Sequence, residues 1–159
     1  MPATLSLTQE QLRAWKAFLR AHAVLTRLLE GELEREHDLP LASYDVLVQL
    51  SEAPAGLRMS ELAGAVLLSR SGLTRLVDRL EREGLVERRS CPSDARGTLA
   101  VLTGAGTDRL RTAAPAHLRG VAEHFAAAYD DAEVAVLTTL LERLSGPEQA
   151  PGGCGGCGG

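Results

Sequence analysis

The stretch Ser69-Arg70-Ser71-Gly72-Leu73-Thr74-Arg75-Leu76-Val77-Asp78-Arg79-Leu80-Glu81-Arg82-Glu83-Gly84 opens on a hydroxyl residue and closes on a glycine. Between them Leu73, Leu76, Val77 and Leu80 stand at i, i+3, i+4 and i+7, the stripe of an amphipathic helix. Ser71, Arg75, Asp78 and Arg82 fall on the opposite, solvent side, and Gly84 stops the helix at C′. Upstream, Met59, Leu62, Ala63 and Val66 form the inner face of a helix of about two turns, with Ser60 as its cap and Leu67-Leu68 as the link. Downstream, Leu85-Val86-Glu87-Arg88-Arg89 and Thr98-Leu99-Ala100-Val101-Leu102 read as strands on either side of the turn-rich Cys91-Pro92-Ser93-Asp94-Ala95-Arg96-Gly97.

Two close helices followed by a hairpin spell a winged helix-turn-helix, a module that lays its second helix in the major groove of DNA and reaches an arginine beyond it. The formal net charge of −4 argues against a nucleic-acid partner only when counted over the whole chain. From Arg58 to Arg96 the eight arginines at 58, 70, 75, 79, 82, 88, 89 and 96 face six acids at 61, 78, 81, 83, 87 and 94, so this segment carries +2 and the remainder −6. Double-stranded DNA is the expected partner.

Thr8 to about His37 reads as a long helix striped by Leu12, Trp15, Leu19, Leu25, Leu28, Leu29 and Leu33. Ser43 is placed to cap a second helix running to about Ala53, closed by Pro54-Ala55-Gly56. Residues from Gly104 to about Tyr129 are helical in pattern, with Pro115 marking a kink or break, and Asp130 can cap a last helix with Val134, Leu137, Leu140, Leu141 and Leu144 inward. The expected fold is α+β, mainly α. It divides into an N-terminal dimerisation helix (1–37), a winged helix-turn-helix (43–103), C-terminal dimerisation helices (104–146) and a disordered Gly/Cys tail (147–159). Three apolar-faced flanking helices are too few for a separate core, so a homodimer is expected to bury them. No apolar stretch approaches the roughly 20 residues needed to span a bilayer, and no signal-peptide pattern opens the chain, so the expected location is cytoplasmic.

Ser60-Glu61-Leu62-Ala63, the run from Ser69 to Val86, Pro92-x-Asp94-x-Arg96 and Leu102-Thr103-x-x-Gly106 together closely resemble the MarR family, over nearly the whole chain. The resemblance implies a homodimeric winged-helix regulator, in most members a repressor, which binds a pseudo-palindromic operator and is released by a small ligand or by oxidation. The sequence departs from the family at Ala100, where a larger aliphatic is usual, so a looser wing is expected.

Ser69, Arg70, Ser71, Thr74 and Arg75 occupy the half of the recognition helix that meets DNA in such motifs, with Arg75 suited to bidentate contact with guanine. Arg96 at the wing tip is placed for the minor groove. Asp94 either supports an arginine through a charge-assisted hydrogen bond or shapes the turn, and Asp78 with Arg82 forms an i,i+4 surface pair. For an effector, Trp15, His22 and Asp45 are the candidates at the junction of dimer helices and winged helix. Asp45, Arg75 and Arg88 are similar to the acid and arginines of the family's urate-responsive branch, and the competing reading is a structural ion pair beside an ordinary core tryptophan.

Cys91 reads as a surface thiol, with a redox-sensing regulator as the alternative, and Cys154-x-x-Cys157 is half of a tetrahedral zinc site on what reads as an inert tail. An enzyme finds no support: the chain has no Gly-rich phosphate loop and no nucleophile elbow. His22, His37, His117 and His124 are scattered over the helices, and His117 with His124 lacks a carboxylate cluster nearby in sequence, so neither metal nor cofactor is expected. A winged helix turned to protein interaction is the other rival, and it would be expected to lack the arginines at 75 and 96.

Overall fold

The structure is a computed structural model, and it describes residues 6–66, 69–91 and 94–145, without the side chains of residues 70, 91, 94–96 and 145. In chain order the elements are α1 (Gln9–His37), α2 (Leu41–Glu52), β1 (Leu57–Arg58), α3 (Met59–Ala65), α4 (Arg70–Arg82), β2 (Val86–Cys91), β3 (Asp94–Leu102), α5 (Gly104–His124), a 3-10 turn (Ala126–Ala128) and α6 (Asp131–Ser145). The sheet is antiparallel in the order β1-β3-β2. The α+β, mainly helical winged architecture is thus present, with a third strand whose two residues are too few to show any alternation.

Each helix starts where the local chemistry dictates. Thr8 and Gln11 exchange side-chain-to-backbone bonds in a capping box at the head of α1. Ser69 Oγ accepts from Gly72 N at 3.2 Å to cap α4, and Thr103 Oγ1 accepts from Gly106 N at 3.0 Å to cap α5. Asp130 and Glu133 form a second capping box before α6. Two expected caps are displaced. Helix α2 begins at Leu41 behind Pro40, leaving Ser43 inside it, and α3 begins at Met59, with Glu61 Oε2 accepting from Arg58 N at 2.7 Å instead of Ser60 acting as cap.

Helix α4 ends in a Schellman turn, with Gly84 at φ +74 and the amides of Gly84 and Leu85 donating to Glu81 O and Leu80 O. Of the expected kink or break at Pro115, the break does not occur: helix α5 runs continuously through it. The core gathers Leu33 from α1, Val46, Leu47 and Leu50 from α2, Leu62, the α4 row Leu73, Val77 and Leu80, and Val86 and Ala100 from the wing. Ala100 is fully buried, and an added Cβ on Gly56 (φ +90) would come within 2.8 Å of the Ala100 carbonyl, so the wing root is closely packed rather than loose.

His117 of α5 packs against Tyr44 of α2 with ring centroids 4.4 Å apart and the planes tilted by 35°, and burial pulls its imidazole pKa below the usual value of 6.5. Below that value the unfolded imidazole takes up a proton that the folded one refuses, so this pair loses stability as pH falls through the window beneath 6.5. Chemical denaturation at about pH 7 and about pH 5 is expected to show that loss, and His117→Phe, which keeps the ring contact, to flatten it. An unchanged slope in the variant would disprove the assignment. Gly106 is equally specific: a Cβ there would stand on the Leu85 carbonyl oxygen and 2.6 Å from Leu102 Cδ1. Gly106→Ala is expected to cost about 1–3 kcal/mol in a urea melt, because backbone cannot step aside.

Candidate nucleic-acid interface

Helix α4 divides lengthwise into two faces with different duties. Leu73, Val77 and Leu80 are fully buried, whereas Ser69, Ser71, Thr74 and Arg75 are exposed along one edge. Ser69 spends its hydroxyl on the cap and lies 3.5 Å from Ser71 Oγ, so it fixes where the helix begins. Arg75 makes no ion pair with another described residue and projects from an exposed position. Arg70 opens the helix, while Asp94 and Arg96 lie on β3 beyond the bulge at Ser90/Cys91; the side chains of all three, and of Cys91, lie outside the description.

The acids around this helix are occupied by arginines of the same module. Arg88 of β2 donates to Asp78 Oδ1 at 2.6 Å and pairs with Glu81 Oε2, while its backbone amide donates to Glu81 Oε1 at 3.3 Å. Partial burial works against the Arg88 charge, but the bonds to the two carboxylates outweigh it and raise its pKa. Arg89 pairs with Glu87, and Arg79 lies 3.8 Å from Glu83. Arg82 therefore does not pair with the Asp78 carboxylate as expected; its Nε donates to the Asp78 carbonyl at 3.2 Å. Arg79 Nη2 donates to Ser43 Oγ at 2.6 Å, which gives a purpose to the buried serine that does not cap α2. With these carboxylates neutralised in place, the exposed edge of α4 presents hydroxyls and a guanidinium to any polyanion.

The proposed effector residues lie on different elements, Trp15 and His22 on α1, Asp45 on α2 and Arg88 on β2. Trp15, about half exposed, stacks on Phe18 at 6.1 Å, and His22 is exposed further along α1. Asp45, whose carboxyl pKa is raised by burial, lines a cavity of about 120 Å³ with Val48, Gln49, Ala65 and Val66. None of Trp15, His22 or Arg88 lines it, and the volume is far below the roughly 300–1,000 Å³ of small-molecule sites. Arg88 is instead committed to Asp78 and Glu81. Spacing along the chain also concealed Arg109, whose Nη2 donates to the carbonyls of His37 and Asp38 where α1 ends.

The winged-helix fold recurs in known proteins. Residues 37–97 match the MarR family model. The DNA complex of Sco3205, a MarR family transcriptional regulator from Streptomyces coelicolor, is 32% identical, with a TM-score of 0.83 over 95% of this chain and 98% of that one. The chain belongs to the MarR family. CouR from Rhodococcus jostii RHA1, bound to p-coumaroyl-CoA, is 26% identical with a TM-score of 0.73 over 84% of this chain and 92% of that one. A putative transcriptional regulatory protein for the hcr operon of Thauera aromatica is 35% identical over 64% of this chain, a match that spans 60% of that protein's length. This chain is accordingly a MarR-family transcriptional regulator with a DNA-binding winged helix, and no helix among the described residues is long and apolar enough to cross a membrane.

Arg88→Met would leave Asp78 and Glu81 facing each other without their cation. All three groups are partly open to water, so the expected loss is about 1 kcal/mol in a denaturant melt at low salt, shrinking in high salt. A midpoint equal to the parent's at low salt would show that the cluster contributes nothing.

Proposed function

We propose that the protein is a repressor that occupies a pseudo-palindromic operator as a homodimer, each protomer setting α4 in the major groove of one half-site. The observation that carries this reading is the exposed row Ser71, Thr74 and Arg75 on a helix whose opposite side is wholly buried. Arg75 is assigned to a guanine edge, with Arg70, Ser71 and Thr74 on phosphates or base edges and Ser69 holding the helix start. Arg96 is assigned to the minor groove, with Asp94 supporting it. Sco3205 in complex with DNA supports the docking mode.

The homodimer is supported by apolar side chains that one protomer leaves in water. Trp15, Phe18 and Leu19 on α1, Leu118 on α5, and Val136, Leu140 and Leu144 on α6 are each 42% exposed or more. Release by a small molecule is supported by CouR bound to p-coumaroyl-CoA. The effector pocket of this chain is assigned to the region between dimer helices and winged helix, with Trp15, His22 and Asp45 bordering it once the second copy is in place. A ligand there frees DNA only by favouring a dimer whose half-site spacing is wrong. The protein acts in the cytoplasm, where its DNA is, and catalyses no reaction.

Fluorescence anisotropy on the DNA upstream of its own gene, against scrambled duplex at one fixed salt concentration, tests this reading. The expected result is specific binding of one dimer per site. Arg75→Ala is expected to lose about 1–3 kcal/mol of discrimination between the duplexes, and Arg96→Ala to weaken binding to the site. If no duplex from a genome-wide selection is preferred over random sequence, operator recognition falls and the protein-interaction module replaces it.

A further inference from the structure

The crossing of α1 and α5 holds a polar cluster that DNA binding does not use. Glu32 of α1 places Oε1 2.6 Å from His124 Nε2 near the end of α5, while its other oxygen, Oε2, is buried without a hydrogen-bond partner. Glu123 adds a third donor, so that one ligand atom from each of Glu32, Glu123 and His124 lies within 4.8 Å of the others. Glu32 lies 92 residues from His124 along the chain, which is why no metal-ligand spacing showed in the sequence.

Two further observations set this cluster apart from an ordinary surface ion pair. Space has been left for the carboxylate: a Cβ on Gly120, one turn before His124, would stand on Glu32 Oε2 and 2.8 Å from Leu29 Cδ2. The charge is also uneven. Glu36, one turn further along α1, is matched by Arg119, whose Nη2 reaches its two oxygens at 2.8 and 2.7 Å. Glu32 and Glu123 raise the Arg119 pKa further, yet that guanidinium is bonded to Glu36. Two carboxylates are left to share one imidazole, and a buried carboxylate oxygen without a partner is unfavourable until a cation or donor reaches it.

We propose that Glu32, Glu123 and His124 form a binding site for a divalent transition-metal ion of the zinc class. One imidazole nitrogen and two carboxylates supply three protein ligands, and a water completes a four-coordinate shell. The imidazole nitrogen favours zinc-like ions over magnesium or calcium, which take oxygen ligands. On binding, His124 Nε2 presents its lone pair to the metal, the imidazole proton resides on Nδ1, and the Glu32–His124 hydrogen bond is exchanged for two metal bonds. The ion would pin the long α1 to the C-terminal end of α5. This proposal stands independently of operator binding.

Cobalt(II) titration of the full chain provides the test, because its visible absorption reports coordination number and a near-ultraviolet charge-transfer band reports thiolate ligands. The expected result is one saturable Co²⁺ per chain, displaced by Zn²⁺, with no thiolate band, and unchanged in Cys154→Ser/Cys157→Ser. Glu123→Gln, at an exposed position that leaves packing intact, is expected to weaken binding by roughly tenfold or more, and His124→Gln likewise. The proposal is overturned if no saturable binding occurs, if binding vanishes with the tail cysteines but survives Glu123→Gln, or if Mg²⁺ competes as well as Zn²⁺ does.

Discussion

Thr103 ties together three parts of the fold that would otherwise move separately. Its amide donates to Leu85 O at 3.1 Å, and its hydroxyl donates to Gly84 O at 2.7 Å while accepting from Gly106 N at 3.0 Å. Gly84 and Leu85 terminate the recognition helix, Val86 and Leu102 pair at the root of the wing, and Gly106 lies in the first turn of α5. One residue at the end of the wing therefore satisfies backbone groups of both the α4 terminus and the first turn of α5, in a spot where orphaned carbonyls would otherwise need water. The left-handed Gly84 and the bare α-carbon of Gly106 are the conditions under which that junction can close.

Two side-chain contacts then fix the recognition helix from its other sides. Arg79 reaches the buried Ser43 of α2, and Arg88 draws the wing strand onto Asp78 and Glu81. These arginines hold the module together and neutralise its acids. A count of charges along the chain treats all eight alike; the structure separates those spent internally from Arg75, exposed on the free edge. The local excess of positive charge is small, and its placement matters more than its size.

The elements with strong local signals were legible in the chain: the Ser69 cap, the apolar row of α4 and the Gly84 stop all act through neighbours within a few residues. What escaped depends on distant partners. Ser43 is a good cap in isolation, but Pro40 starts the helix earlier and Arg79, 36 residues away, claims the hydroxyl. Asp78 and Arg82 have ideal helical spacing, yet Arg88 offers Asp78 a better bonded geometry from the strand. His117 and His124 made a weak metal case because the carboxylate that meets His124 lies on α1. Pro115 occurs where α5 continues regardless, since packing on α1 and α2 overrides a single lost backbone bond.

The lengthwise division of α4 has an evolutionary consequence. Side chains that secure the helix, namely Ser69, Leu73, Val77, Arg79 and Leu80, are a different set from Ser71, Thr74 and Arg75 on the free edge. Substitution in the second set removes no core contact, so under the docking proposed above the DNA sequence this helix prefers can drift from one gene to another while the scaffold keeps its melting temperature. Specificity in such a protein is cheap to rewrite, and duplicated copies can diverge in target before they diverge in shape.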